Sequence, residues 1–195
     1  MTRATYVMTA SIAILGTCVP AVIHPAPRLI WNATASTPTG LYALRSIKRL
    51  HVGDLVVAWP PESVAGFLQQ GGFLPKGVPL LKQVTALPGQ TICRAKDIVT
   101  IDGVAVGVAH ERDHLGRPLP SWTGCQRLRA DEVFLMNPNV PESLDGRYFG
   151  PFPLTAIAAR AVPLWTDDVS ENRFVSHLPS KTLAQPVSKS THREN

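Results

Sequence analysis

Proline and glycine punctuate this chain so often, 18 and 14 times in 195 residues, that long regular elements have little room. Proline removes a backbone donor and disfavours helix in the residue before it, while glycine marks turns. The expected fold class is therefore mostly β, with short strands and few long helices. Apolar residues make up 45% of the chain and charged ones 17%, enough for a real core in one compact domain with appendages.

The apolar runs follow that expectation. "GDLVVAW" at 53–59 reads as a buried strand stopped by Pro60 and Pro61, and "ESVAGFLQQGGF" as one short helix stopped by Gly71 and Gly72. "LLKQVTAL" is a strand closed by the Pro88-Gly89 turn. "TICRAKDIVTIDGVAVG" alternates as a hairpin should, with Asp102-Gly103 as its two-residue turn. "EVFLMN" and "AIAARAVPLW" supply further strands, and no internal repeat is present.

Residues 5–23, "TYVMTASIAILGTCVPAVI", carry no charge. Such a segment fits a signal peptide or a single membrane span, with the uncleaved anchor favoured, although the small Val19 and Ala21 permit cleavage before Val22. The chain then divides into a signal peptide or anchor at 1–27, a soluble body at 28–166 and a polar, aperiodic tail at 167–195 expected to be disordered. "HPAPRLI" at the first boundary is an extended tether. The net charge of +5 comes from scattered lysines and arginines without a basic run or interleaved aromatic platform, so no nucleic-acid partner is expected.

Cys93 and Cys125 lie in the body. Beyond a membrane segment they suit a disulfide in an oxidising compartment, with two free buried thiols as the alternative. Thr17 is a poor residue before a lipidated cysteine, so Cys18 reads as an apolar thiol. No paired histidines stand at ligand spacing, so neither a metal nor another cofactor is expected.

A serine becomes a nucleophile only beside a base that is neutral at working pH. The histidines serve poorly: His24 sits at the membrane boundary, His51 follows a basic stretch, His110 and His114 lie in a charged loop, and His177 and His192 in the tail. Lysine serves instead when burial strips its water, because desolvation disfavours the charged form. Lys82 has that setting, with "VPLL" before it and "QVTAL" after it. Alone it is more plainly an edge-strand lysine that blocks aggregation. Ser36, in "TASTPTG", is alone an ordinary turn residue. A third block, "NVPESLDGRYFG", places Ser143, Asp145 and Arg147 at alternate positions. On an extended backbone all three would point to one face, Ser143 orienting the lysine while Asp145 and Arg147 pair as a strut. A plain surface turn with a salt bridge is the simpler explanation of that block.

Ser36 followed by Pro38 and "GLY", Lys82 in "LLKQVTALPGQ", "GRPLPSWTGC", and "SLDGRYFGP" leading to a "PLW" strand together resemble the signal peptidase I superfamily, in its TraF-type branch from conjugative plasmids. The similarity runs from about Trp31 to Trp165, most of the chain. It implies an antiparallel β-sheet catalytic domain in which Ser36 is the nucleophile, Lys82 the general base, and Ser143 and Asp145 support the lysine. It also implies an oxyanion hole made by the Ser36 amide and the hydroxyl of Thr34, where relatives place a serine. Typical members differ at three points: methionine at the position of Thr37, an acidic residue at that of Gln90, and commonly serine at that of Gly146.

The implied activity is a serine endopeptidase that processes propilin for a conjugative pilus. It would be anchored in the inner membrane, act at its periplasmic face and partner a type IV secretion (conjugative transfer) apparatus. Some members pass the acyl group to the pilin's own amino terminus and so cyclise it, acting as transpeptidases. Two alternatives are a non-catalytic periplasmic scaffold for pilus assembly and a general type I signal peptidase. The scaffold has no need for a desolvated lysine beside a serine. A self-cleaving repressor would need a DNA-binding module, for which the apolar N-terminus leaves no room. A β-lactamase-like enzyme would need lysine three residues after the serine, where Thr39 stands.

Overall fold

A computed structural model of the chain describes residues 2–23, 27–168 and 173–176. It opens with helix α1 (Arg3–Ile23). The body follows as β1 (Leu29–Asn32), β2 (Gly40–Arg45), β3 (Leu55–Ala58), α2 (Glu62–Gln70), β4 (Leu80–Ala86), β5 (Thr91–Ala95), β6 (Ile98–Ile101), β7 (Val104–Val108), β8 (Gly124–Arg127), β9 (Glu132–Met136), α3 (Gly146–Phe149) and β10 (Phe152–Pro153). A single 3-10 turn, Leu154–Ala156, leads into β11 (Ile157–Asp168), and β12 (Arg173–Ser176) pairs back on it.

The strands form two antiparallel sheets. The larger runs β1-β2-β11-β3-β4-β9-β10 with β12 beside β11, and the smaller runs β7-β6-β5-β8. Strand β9 explains how they meet. Its side chains alternate between two cores, Val133 and Leu135 facing the one that packs on α2, Phe134 and Met136 the one beneath the smaller sheet. All four are fully buried, each contributing roughly 1.5–3 kcal/mol. Leu144 and Phe149 pack against both cores, so the segment after β9 is wedged where the sheets join.

The hairpin turn is as expected, with Asp102 at φ 48° and Gly103 at φ 81°, the two positive values a type I′ turn requires. The Asp102 carboxylate also accepts from Thr91 N and Gln90 Nε2, both at 2.8 Å, fastening the turn to β5. Cys93 and Cys125 stand directly opposite across β5 and β8 and are joined as a disulfide.

The polar stretch from 167 was expected to lack structure, yet β11 runs on to Asp168 and residues 173–176 form a strand against it. Antiparallel pairing with a long neighbouring strand supplies the order that composition does not. Residues 169–172 and 177–195 lie outside the described residues, as do His24, His177 and His192. At the other end, the segment expected to span a membrane or serve as a signal is helical, but no helix among the described residues is long and apolar enough to cross a membrane. Hydroxyls dilute α1: Thr9 and Thr17 turn theirs back onto the carbonyls of Thr5 and Ala13.

Candidate active site

The segment after β9 is not extended, so Ser143, Asp145 and Arg147 do not share a face by strand alternation. Asp145 instead caps α3, accepting from the Arg147 amide at 3.1 Å, and its other oxygen accepts from Asn137 N at 3.0 Å. The Arg147 guanidinium folds back on the same carboxylate through Nε at 3.0 Å and Nη2 at 2.9 Å, a bidentate pair with both side chains buried. Nη2 also donates to the carbonyls of Val140 and Ser143. The strut is present, built by a cap and a turn. The smaller sheet buttresses it: Arg94 Nη1 donates to Arg147 O at 2.8 Å and Trp122 Nε1 to Gly146 O at 3.0 Å.

Lys82 sits on β4, where Val56 of β3 pairs with it, and is 3% exposed. Its Nζ donates to Ser143 Oγ at 2.6 Å. Burial pushes its ammonium down to about 8, partly opposed by the Asp145 carboxylate and assisted by the Arg147 guanidinium. A lysine of that kind is half neutral near pH 8, within reach of base chemistry.

Ser36 lies in the loop between β1 and β2, and three side chains lace that loop down. Asn32, buried at the end of β1, donates through Nδ2 to the carbonyls of Thr34, Thr37 and Pro38. Tyr42 donates its hydroxyl to Pro38 O at 2.6 Å, and burial raises its phenol to about 12. Asn137, the residue after β9, donates through Nδ2 to Ser36 O at 2.5 Å and to Thr37 Oγ1 and Leu81 O, each at 3.2 Å. Its Oδ1 accepts from Gln83 N at 3.2 Å. One amide thus ties the serine loop to both neighbours of Lys82.

Sequence reasoning passed over Asn32 and Asn137. The available signal was a lone polar residue closing an apolar run, as in "LIWN" and "EVFLMN". Buried asparagines of that sort must find partners, and here the partners are the loop's carbonyls.

Ser36, Lys82, Ser143 and Thr34 all line one cavity of about 420 Å³, whose walls include Leu68, Leu74, Val78, Leu81 and Leu119. The lysine's own bond is to Ser143, and the Ser36 hydroxyl lies 3.4 Å from that of Thr34. Thr34 Oγ1 donates to Asn32 Oδ1 at 2.8 Å, so its hydroxyl must turn before it can serve an oxyanion. Arg147 and Asp145 stand behind the lysine. His114, from the charged loop, is exposed and also borders the cavity. Among the described residues no group of histidines, cysteines and carboxylates could hold a metal ion.

Comparison with known proteins bears on what this arrangement is. Residues 1–165 match the family described as signal peptidase, peptidase S26. The conjugal transfer protein TraF of Agrobacterium fabrum (strain C58) is 31% identical over 147 residues, covering 70% of this chain and 82% of that one. A probable conjugal transfer protein TraF of Sinorhizobium fredii (strain NGR234) is 37% identical over 146 residues, 69% of this chain and 76% of that one. A plasmid transfer protein TraF of Escherichia coli is 30% identical over 145 residues, 69% and 81% of the two chains. A solved signal peptidase I from Enterococcus faecalis V583 aligns with a TM-score of 0.36 at 18% identity, over 59% of this chain and 98% of that one. The chain belongs to the signal peptidase, peptidase S26, family.

Proposed function

We propose that this member of the signal peptidase family is a Ser/Lys endopeptidase of conjugal transfer that matures a propilin at the periplasmic face of the inner membrane. The observation that carries the reading is Lys82: a buried lysine, lowered to about 8 by desolvation and held by Ser143, opening on the same cavity as Ser36. A structural lysine is seldom buried so fully, since the charged form is disfavoured there. The conjugal-transfer context is supported by the relatives' names.

In this reading neutral Lys82 takes the proton of the Ser36 hydroxyl, and the oxygen attacks the scissile carbonyl. The oxyanion is met by the Ser36 amide and, after rotation, the Thr34 hydroxyl. The lysine ammonium returns its proton to the leaving amine, the C–N bond breaks, and an ester links Ser36 to the acyl half. Water, or an amine from the pilin's own amino terminus, then attacks the ester carbon and gives its proton through Lys82 back to Ser36. Hydrolysis yields a linear pilin and aminolysis a cyclic one.

The test is intact-mass spectrometry of the plasmid's pilin from cells carrying the wild type or Ser36→Ala. Loss of mature pilin in the variant is expected, and a wild-type mass one water below the linear product would identify cyclisation. Unchanged maturation would leave a pilus-assembly scaffold as the better account.

A further inference from the structure

The cavity that holds Ser36 and Lys82 is walled in part by a loop of the smaller sheet. That loop, residues 109–123 between β7 and β8, sends Asp113, His114 and Leu119 to the lining. Its tip is held by its own bonds. Asp113 N donates to Arg117 O at 3.0 Å, and the Asp113 carboxylate, whose side chain is 6% exposed, accepts from the amides of Leu115 and Arg117, each at 2.9 Å. The same carboxylate takes Arg117 Nε at 2.6 Å, which fixes the plane of the guanidinium and leaves its Nη groups to reach outward. Arg117 does not itself line the cavity. It crosses to the segment that follows α2, where Nη1 donates to Gly71 O at 2.6 Å and the guanidinium lies 4.1 Å from the centroid of the Phe73 ring. Phe73, Leu74 and Pro75 of that segment form another stretch of the same lining. The landing place is braced: Phe73 stacks on Phe67 of α2 at 5.6 Å, and Phe67 meets Phe149 of α3 edge-on at 5.9 Å. Gly71 belongs to it as well, because a Cβ there would fall 2.2 Å from the Phe73 ring.

We infer that Arg117 is a buckle that ties these two stretches of wall together, fixes the width of the catalytic cavity, and so limits the bulk of the substrate side chains admitted beside the scissile bond. The inference rests on the peptidase reading and deepens it by naming a residue that sets specificity without touching the reacting atoms. Apolar packing does not do this work. Leu119 packs on the core beneath the smaller sheet, whereas Phe73 and Leu74 belong to the core that packs on α2, so each stretch of wall is held to its own core. Arg117 spans the join. A guanidinium that satisfies a carboxylate, a carbonyl and a ring at once holds its two sides at one separation, because its donors form a rigid fork. A cavity of fixed separation discriminates by size, since an oversized side chain has to displace walls that are bonded to each other.

The experiment uses the full chain in detergent micelles with synthetic peptides spanning the pilin bond located by mass spectrometry. Each peptide carries alanine or phenylalanine at one of the three residues on either side of that bond. In the wild type phenylalanine is expected to lower kcat/KM by about tenfold or more at one position at least, the scale on which an apolar site tells side chains apart. Arg117→Ala should shrink that penalty by about threefold or more at the same positions, while the rates of the alanine peptides change by less. Arg117→Lys can pair with Asp113 but has no plane to lay on Phe73 while reaching Gly71, so its penalties should fall between the two. It also keeps the test open if the alanine variant does not fold. Penalties that are the same in the wild type and the variants, or rates that fall in parallel for all peptides, overturn the buckle. A wild type that accepts phenylalanine at every position overturns it too. Absence of any cleavage by the wild type beyond that of Ser36→Ala overturns the peptidase reading instead, and the part of Arg117 in specificity with it.

Discussion

At the residue scale the lysine decides most. If Lys82 acts as a neutral base, kcat/KM should rise about tenfold per pH unit below its pKa and level off above about 8. A rate limb in that position, measured with the peptides above, would match; a flat profile between pH 6 and about 9 would remove the lysine from proton transfer. Lys82→Arg keeps charge and length but cannot lose its proton near neutrality, so turnover should drop to background, and an active arginine variant would contradict the role. Thr34→Val should lower turnover by about ten- to a thousandfold, the worth of one oxyanion donor, with folding little changed. Because the Thr34 hydroxyl is engaged by Asn32 in this structure, the lower end of that range is the one expected. Asn137 makes no contact with the reacting atoms and acts through the serine loop, so Asn137→Ala should reduce kcat while leaving the limb near 8 in place. An unchanged kcat, or a displaced limb, would assign Asn137 a different part.

At the element scale, the smaller sheet is a buttress stapled by Cys93 and Cys125. Its edge strand β8 is exposed at all four positions and buries little of its own, so the bond carries much of its attachment. Closing a loop across a sequence separation of 32 restricts the unfolded chain by about 3–4 kcal/mol in the loop-entropy account. Cys93→Ser with Cys125→Ser should therefore lower the melting temperature by several degrees, and thermal melts with and without reductant measure it; coincident melts would show that the staple does nothing. Sequence alone made this sheet legible in part, because Asp102-Gly103 dictates its turn, but it left the cysteines undecided between bond and free thiols. The third block shows the limit more sharply. Its residue types announced a strut, yet the alternation argument assumed an extended chain. What bends it is the capping carboxylate of Asp145 together with a close approach at Gly146, where a Cβ would fall 2.8 Å from Leu135 O and 2.6 Å from the Phe134 ring. Neither a cap's direction nor a ring pressed on a backbone can be read from spacing, and for the same reason Asn32 and Asn137 stayed hidden: their partners lie in other elements.

At the scale of the whole molecule the site sits where two cores meet, and the fold holds a buried cation there at the expense of its own stability. The lysine's pKa falls from 10.5 in the unfolded chain to about 8 in the fold. Between those values the unfolded chain binds more protons, so stability rises with pH across that window. Above about 10.5 the lysine is neutral in both states and nothing is lost; below about 8 it is charged in both and the full penalty, on the order of 3 kcal/mol, is present. Lys82→Met, which has a similar shape and no charge, should therefore melt at a higher temperature than the wild type at pH 7 while being inactive, even though the bond to Ser143 is lost. The gap between the two melting temperatures should close as pH is raised from about 8 toward 10.5. A methionine variant that melts no higher than the wild type at pH 7, with a gap that does not change with pH, would mean that the ammonium is hydrated or paired well enough to stay charged at little penalty. In that case Lys82 would be no better a base than a surface lysine, and the proton of Ser36 would have to leave by another route.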